Sequence, residues 1–251
     1  MAPVLTHVRT PVYGHTLFSR QSIAPGGTGR PTVVLVHGLG TSSLYMVPTA
    51  VRLARDYRVL ALDLPGFGHS SKPPHALPLP ALADVLAGWM SQMAIDRAVL
   101  VGNSFGCQVI AEFGLRHPDR LERAVLQGPT MDRYARTAVR EFARFALDLP
   151  RERVPEYFLN AYDYWRTGLH RGWETFQIAL KDRIEDKLPR LEMPVLLVRG
   201  QHDPIVSQRW VKELTATIPN GRLIITRGAH TPNFSEPDAF AGVVRSFVRA
   251  A

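Results

Sequence analysis

Short apolar runs rich in β-branched residues alternate along this chain with longer segments of helical period. Thr32 to Val36 is a continuous apolar run, as expected of a strand buried on both faces. Leu44 to Arg55 follows with apolar residues at helical spacing (Leu44, Val47, Val51, Leu53). Arg58 to Leu62 reads as the next strand and ends at Asp63. A turn-rich loop, Pro65 to Pro80, leads into a helix up to about Met93. Arg97 to Val101 predicts a third strand, Ser104 to Arg116 a helix stopped by His117-Pro118, and Leu121 to Leu126 a fourth strand.

The rhythm then breaks. From about Pro129 to Pro189 only amphipathic helical segments rich in Arg, Tyr, Trp and Phe occur, after which alternation resumes. Strand Val195 to Val198, helix Val206 to Ile218, strand Leu223 to Thr226 and a helix from Pro237 to Val248 complete it. Ahead of the series, Val4 to Val8 and Tyr13 to Ser19 predict an edge hairpin, followed by a Gly-rich turn at Gly26-Gly27-Thr28-Gly29. The pattern predicts an α/β fold: a mostly parallel central sheet covered by helices, with a helical cap insertion. Residues 1–128 and 190–251 form the expected core and 129–189 the cap.

At 251 residues, 45% hydrophobic and 21% charged, the chain suits one ordinary globular domain with a modest insertion. It shows neither a signal peptide nor an apolar run long enough to span a bilayer, so a soluble cytoplasmic protein without a membrane partner is expected. The net charge of +8 raises the question of nucleic acid. Basic residues are nevertheless spread along the chain; the densest stretch, residues 131–190, holds 12 basic and 10 acidic side chains. With no block of like charge and no interleaved aromatic platform, a nucleic-acid partner is not expected. Cys107, the sole cysteine, excludes an internal disulfide or a Cys-based zinc cluster and is expected as a small buried thiol.

The chemistry lies at the strand ends. Gly102-Asn103-Ser104-Phe105-Gly106 follows a strand without a gap and opens a helix. Such a G-x-S-x-G turn holds its serine in a strained conformation, hydroxyl raised above the sheet; glycine is needed two residues to either side, where side chains would collide. A serine hydroxyl needs a base, and the base an orienting acid. Asp203 follows strand Val195 to Val198 and His230 follows Leu223 to Thr226, so both land on the edge where Ser104 stands. These three are the expected catalytic residues. Asp132, after the fourth strand, is the rival acid, and Asp63 is expected to fix its own loop. His202 and His69 are lesser candidates for the base. The backbone N–H groups of Leu39 and Phe105 are the expected oxyanion donors, with His37 bracing the loop. Gly38, Asn103 and Trp165 are the candidate substrate contacts.

Taken together, His37-Gly38-Leu39-Gly40, Asp63-Leu64-Pro65-Gly66-Phe67-Gly68-His69-Ser70, the Ser104 pentapeptide, Gly200-Gln201-His202-Asp203-Pro204 and Gly228-Ala229-His230 resemble the motifs of capped α/β-hydrolases. The resemblance runs from about Arg30 to the C-terminus and is weakest in the cap. It implies a serine hydrolase working through an acyl-enzyme, a carboxylesterase on small to medium apolar acyl or aryl esters, with no metal or organic cofactor and no set oligomeric state. Ring-cleavage C–C hydrolases share Gly-Asn-Ser at the elbow. They favour a Gly-Pro-Gly loop and a Trp after the histidine, where this chain has Gly38-Leu39-Gly40 and Thr231. Two readings of another class remain. One is a non-catalytic small-molecule binder. The other is an NAD-dependent oxidoreductase, since Gly38-Leu39-Gly40 follows a strand with Asp63 downstream; but Ser43 stands where the third glycine belongs.

Overall fold

In the computed structural model, residues 4–22 and 31–250 are described; the expected turn at Gly26 to Gly29 lies outside them. The sheet has eight strands in the order β1-β2-β4-β3-β5-β6-β7-β8. β1 (Leu5–Val12) and β2 (His15–Ser22) form the edge hairpin, and β2 runs antiparallel to β4 (Arg58–Leu62). β3 (Thr32–Val36), β5 (Ala98–Asn103), β6 (Leu121–Gln127), β7 (Val195–Gly200) and β8 (Gly221–Thr226) continue it in parallel.

The continuous apolar runs are explained by burial on both faces. Alternate residues divide between two cores: Val34, Leu60 and Leu100 face one side, Val33, Val59 and Val99 the other. The first core is closed by α2 (Leu79–Gln92), α3 (Phe105–Arg116) and α8 (Gln208–Thr217), which contribute Trp89, Phe113 and Trp210. The second is closed by α1 (Val47–Leu53) and α9 (Pro237–Arg249), through Ala50, Leu53, Phe240 and Phe247. The first turn of the expected helix at Leu44 is a 3-10 turn, Ser43–Met46, whose N-cap Ser42 accepts from the Leu44 N–H.

Between β6 and β7 the described chain contains helices and no strand: α4 (Ala138–Asp148), α5 (Val154–Thr167), α6 (Leu169–Lys181) and α7 (Ile184–Lys187). Side-chain bonds tie this insertion to the loops at the carboxyl ends of the strands. Ser42 Oγ donates to Asp163 at 2.7 Å, Thr167 Oγ1 to the Gly40 carbonyl at 3.0 Å, and Arg166 to the Gly68 carbonyl at 3.0 Å. The Tyr164 ring lies directly on Gly40, where a Cβ would come within 2.5 Å of it.

Candidate active site

β5 delivers Ser104 with φ 54° and ψ −118°, the strained left-handed backbone expected of the turn. Both flanking glycines are sterically required. A Cβ on Gly106 would stand 2.4 Å from the Val36 carbonyl oxygen, and one on Gly102 would stand 2.8 Å from the Gly106 backbone. The Ser104 N–H donates to the Gln127 carbonyl at 2.9 Å, anchoring the turn to β6.

His230 follows β8, and its ring crosses the ends of β7 and β6, where it meets Asp203 and Gly128. Gly128 makes that crossing possible: at φ 56° it has no side chain, and a Cβ there would sit 2.8 Å from His230 Cε1. The His230 carbonyl is held by Asn103 Nδ2 at 3.2 Å and Gln127 Nε2 at 3.1 Å. His230 Nδ1 lies 2.9 Å from Asp203 Oδ2. The other oxygen of Asp203 accepts the N–H groups of Ile205 and Val206 at 2.8 and 3.0 Å, so the carboxylate cannot rotate freely. Burial alone would lower the pKa of His230; the charge and hydrogen bond of Asp203, reinforced by Asp148 and Glu152, outweigh it and raise the value to about 9. His230 Nε2 is buried without a hydrogen-bond partner. Its residue and Ser104 line the same cavity, of about 640 Å³.

The other candidates fall elsewhere. Asp132 is engaged by Arg144 at 2.7 Å and by the N–H groups of Tyr134 and Ser207, so the rival acid serves the insertion. Asp63 accepts from the N–H groups of Ser43 and His69 and fixes its loop. His37 Nδ1 bonds the Gly38 carbonyl at 2.7 Å while Nε2 accepts from the Leu64 N–H; burial pushes its pKa down, keeping the ring neutral in this bracing role. His202 is exposed, its ring bonded to the Gln201 side chain, and His69 contacts Arg166 and the Phe18 ring. Cys107 is buried, its thiol directed at the Gly102 and Gln127 carbonyls, and burial raises its pKa.

Leu39 and Gly38 line the cavity. Phe105 sends its side chain into the core; its amide stands in the first turn of α3, where N–H groups lack an intrahelical partner. Asn103 also lines the cavity, but its polar atoms are taken up by the protein: Oδ1 accepts from Tyr45 Oη at 2.7 Å, and that oxygen accepts the Gly38 N–H at 2.9 Å. It positions the two loops. Trp165 is a correction. It lies on the exposed face of α5 against Tyr162, away from the cavity, because the inward face of that helix is occupied by Glu156, Asp163 and Thr167. Tyr164, Trp173 and Phe176 line the cavity instead.

Four cavity-lining acids escape a sequence reading: Glu141, Asp148, Glu152 and Glu156. Burial raises Glu141 and Asp148 to about 7 and Glu156 to about 8. Acids on an amphipathic helix are normally assigned to solvent, and the exposed aromatic residues opposite them were the one available signal.

The chain matches the profile described as the alpha/beta hydrolase family over residues 33–243. A pimeloyl-[acyl-carrier protein] methyl ester esterase of Vibrio vulnificus is 25% identical over 244 residues, covering 86% of this chain and 94% of that protein. Esterase YbfF of Escherichia coli is 24% identical over 238 residues, covering 86% and 92%. Among solved structures, a hydrolase from Pseudomonas aeruginosa superposes with a TM-score of 0.81 at 25% identity, covering 98% of each chain.

Proposed function

The chain belongs to the alpha/beta hydrolase family and is a carboxylic ester hydrolase; on that premise we propose a two-step acyl transfer carried by Ser104, His230 and Asp203. One observation carries this reading: the His230 ring, fixed at Nδ1 by Asp203, has a buried, unpartnered Nε2 in the cavity it shares with Ser104. A neutral imidazole in that tautomer has its lone pair on Nε2. Ser104 Oγ attacks the ester carbonyl as Nε2 takes its proton, and the amides of Leu39 and Phe105 receive the oxyanion. Each such donor contributes about 3–4 kcal/mol to the transition state. The proton passes to the departing alcohol, leaving an acyl-serine. Water, deprotonated by the same nitrogen, adds to it and releases the acid. Only protein groups and water take part.

The insertion, residues 129–189, is the cap in this scheme. Leu39, Met131, Phe142, Tyr164, Trp173 and Phe176 give the cavity a mainly apolar wall, which suits small to medium acyl or aryl esters. The esterase relatives support an ester over a carbon–carbon bond, as does Thr231 after the base. The test is a series of p-nitrophenyl esters of graded chain length run beside a vinylogous ring-cleavage diketone. Esters should turn over, and Ser104→Ala should lower kcat by at least about 10⁴-fold with an unchanged melting curve. Activity that survives the substitution removes Ser104 from the mechanism; a large preference for the diketone replaces the ester reading.

A further inference from the structure

We propose that the outer face of the helical insertion docks on an anionic lipid surface. On α5 the amphipathic order is reversed. Glu156, Asn160, Asp163 and Thr167 share the face turned toward the protein, and Glu156, Asp163 and Thr167 are buried. The opposite arc, about 100° wide at 3.6 residues per turn, carries only Val154, Phe158, Ala161, Tyr162 and Trp165. Val154 is 65%, Phe158 73% and Trp165 78% exposed, and Leu169 continues the stripe beyond the end of the helix. α4 repeats the arrangement: Glu141 and Asp148 are buried while Val139, Ala143, Ala146 and Leu147 face out. Exposed large hydrophobic side chains are rare over the rest of the described surface, with Val4, Tyr13 and Ile225 its only members outside residues 139–173. A patch of this kind marks an interaction site.

Charge selects the occupant. Every acid between residues 133 and 173 is buried or half-buried, whereas Arg140, Arg151 and Arg153 are exposed. Of these, Arg153 approaches Glu236 only at 3.8 Å, and Arg140 and Arg151 bond backbone carbonyls. The surface therefore offers aliphatic and aromatic groups with cations and no exposed carboxylate, the composition of a helix that lies in a headgroup layer. A second copy of the chain, docking through the same patch, would bring further arginines and no exposed carboxylate to pair with them. Anionic lipid headgroups supply both missing complements: acyl chains for the stripe and phosphates for the arginines. No helix among the described residues is long and apolar enough to cross a membrane, and docking of this kind requires none. Phe142, Phe145, Leu149, Leu169 and Trp173 are both exposed and cavity-lining, so the cavity opens on the docking face.

The test is co-sedimentation with vesicles of phosphatidylcholine, with and without about one-third phosphatidylglycerol, together with the tryptophan emission of the full chain. The expected result is pelleting with the anionic vesicles only, weakened by salt, with a blue shift as Trp165 leaves water. Val154→Glu/Phe158→Glu, substituted at exposed positions, should reduce partitioning by at least about tenfold, with its melting curve as fold control. Should that variant not fold, Arg151→Glu/Arg153→Glu should weaken anionic binding in the same assay. The proposal is overturned by failure to pellet with either vesicle, by equal binding of wild type and folded variants, or by a dimer whose dissociation is caused by the same apolar substitutions. It is likewise overturned if the face captures an acidic protein while ignoring vesicles.

Discussion

At position 104 the polypeptide accepts a positive φ that a serine rarely adopts, and the surroundings hold it there. Gly102 and Gly106 allow strand and helix to meet, Gln127 takes the Ser104 N–H, and Asn103 joins the loops on either side. The histidine is held as tightly, and its environment sets a pH dependence. Its pKa is raised to about 9, and only the neutral ring can accept a proton. kcat/KM on a neutral ester should therefore climb with pH through neutrality and level off above about 9; a flat profile from about pH 6 to 9 would contradict the assigned base. Asp203→Asn keeps a side-chain oxygen to accept from Ile205 and Val206 but removes the charge and can favour the wrong tautomer. By comparison with triads of this kind kcat should fall by on the order of 10⁴-fold, measured as p-nitrophenolate release.

Among the elements, the β-strands were the most legible feature: Thr32–Val36 and Arg58–Leu62 occupy the expected residues because burial on both faces leaves an uninterrupted apolar run. Ser104, Asp203 and His230, the proposed triad, could be singled out because glycine and strand neighbours announce them. Gly128 could not, since its need arises only from the imbricated path of His230 over β6. The insertion was the least legible part. Periodicity identifies which residues of α4 and α5 share a face, but not which face points inward, and here the acids do. That inversion explains the misplacement of Trp165 and yields a stability prediction. The carboxyl groups of Glu141, Asp148 and Glu156 have folded-state pKa values raised to about 7, 7 and 8. Their protonated forms stabilise the fold fully below the ordinary carboxyl pKa of about 4, and that contribution is lost as pH rises through about 7–8. The melting temperature should fall over this interval, and Glu156→Gln should flatten the decline and melt higher than wild type at about pH 9. An unchanged slope in calorimetry would show that Glu156 is not buried as an acid.

For the whole molecule, stability is unevenly distributed. β3 and β5 lie at the centre of the sheet with almost every side chain fully buried, whereas α4 and α5 pack through one face and expose the other. Amide exchange should be slowest in β3, β5 and β6 and faster by orders of magnitude in α4 and α5; equal protection of the two regions, read by mass spectrometry, would contradict this division. The proposed triad and oxyanion residues stand at the ends of the sheet strands, outside the insertion, which supplies most of the cavity wall and, through Asp148 and Glu152, part of the charge that raises the His230 pKa. Selectivity and reactivity thus reside largely in different parts of one chain. Exchanging the insertion for another helical segment would redirect the enzyme to new substrates and leave the sheet-borne bond-breaking groups in place, while the loss of Asp148 and Glu152 would lower the pKa of its base.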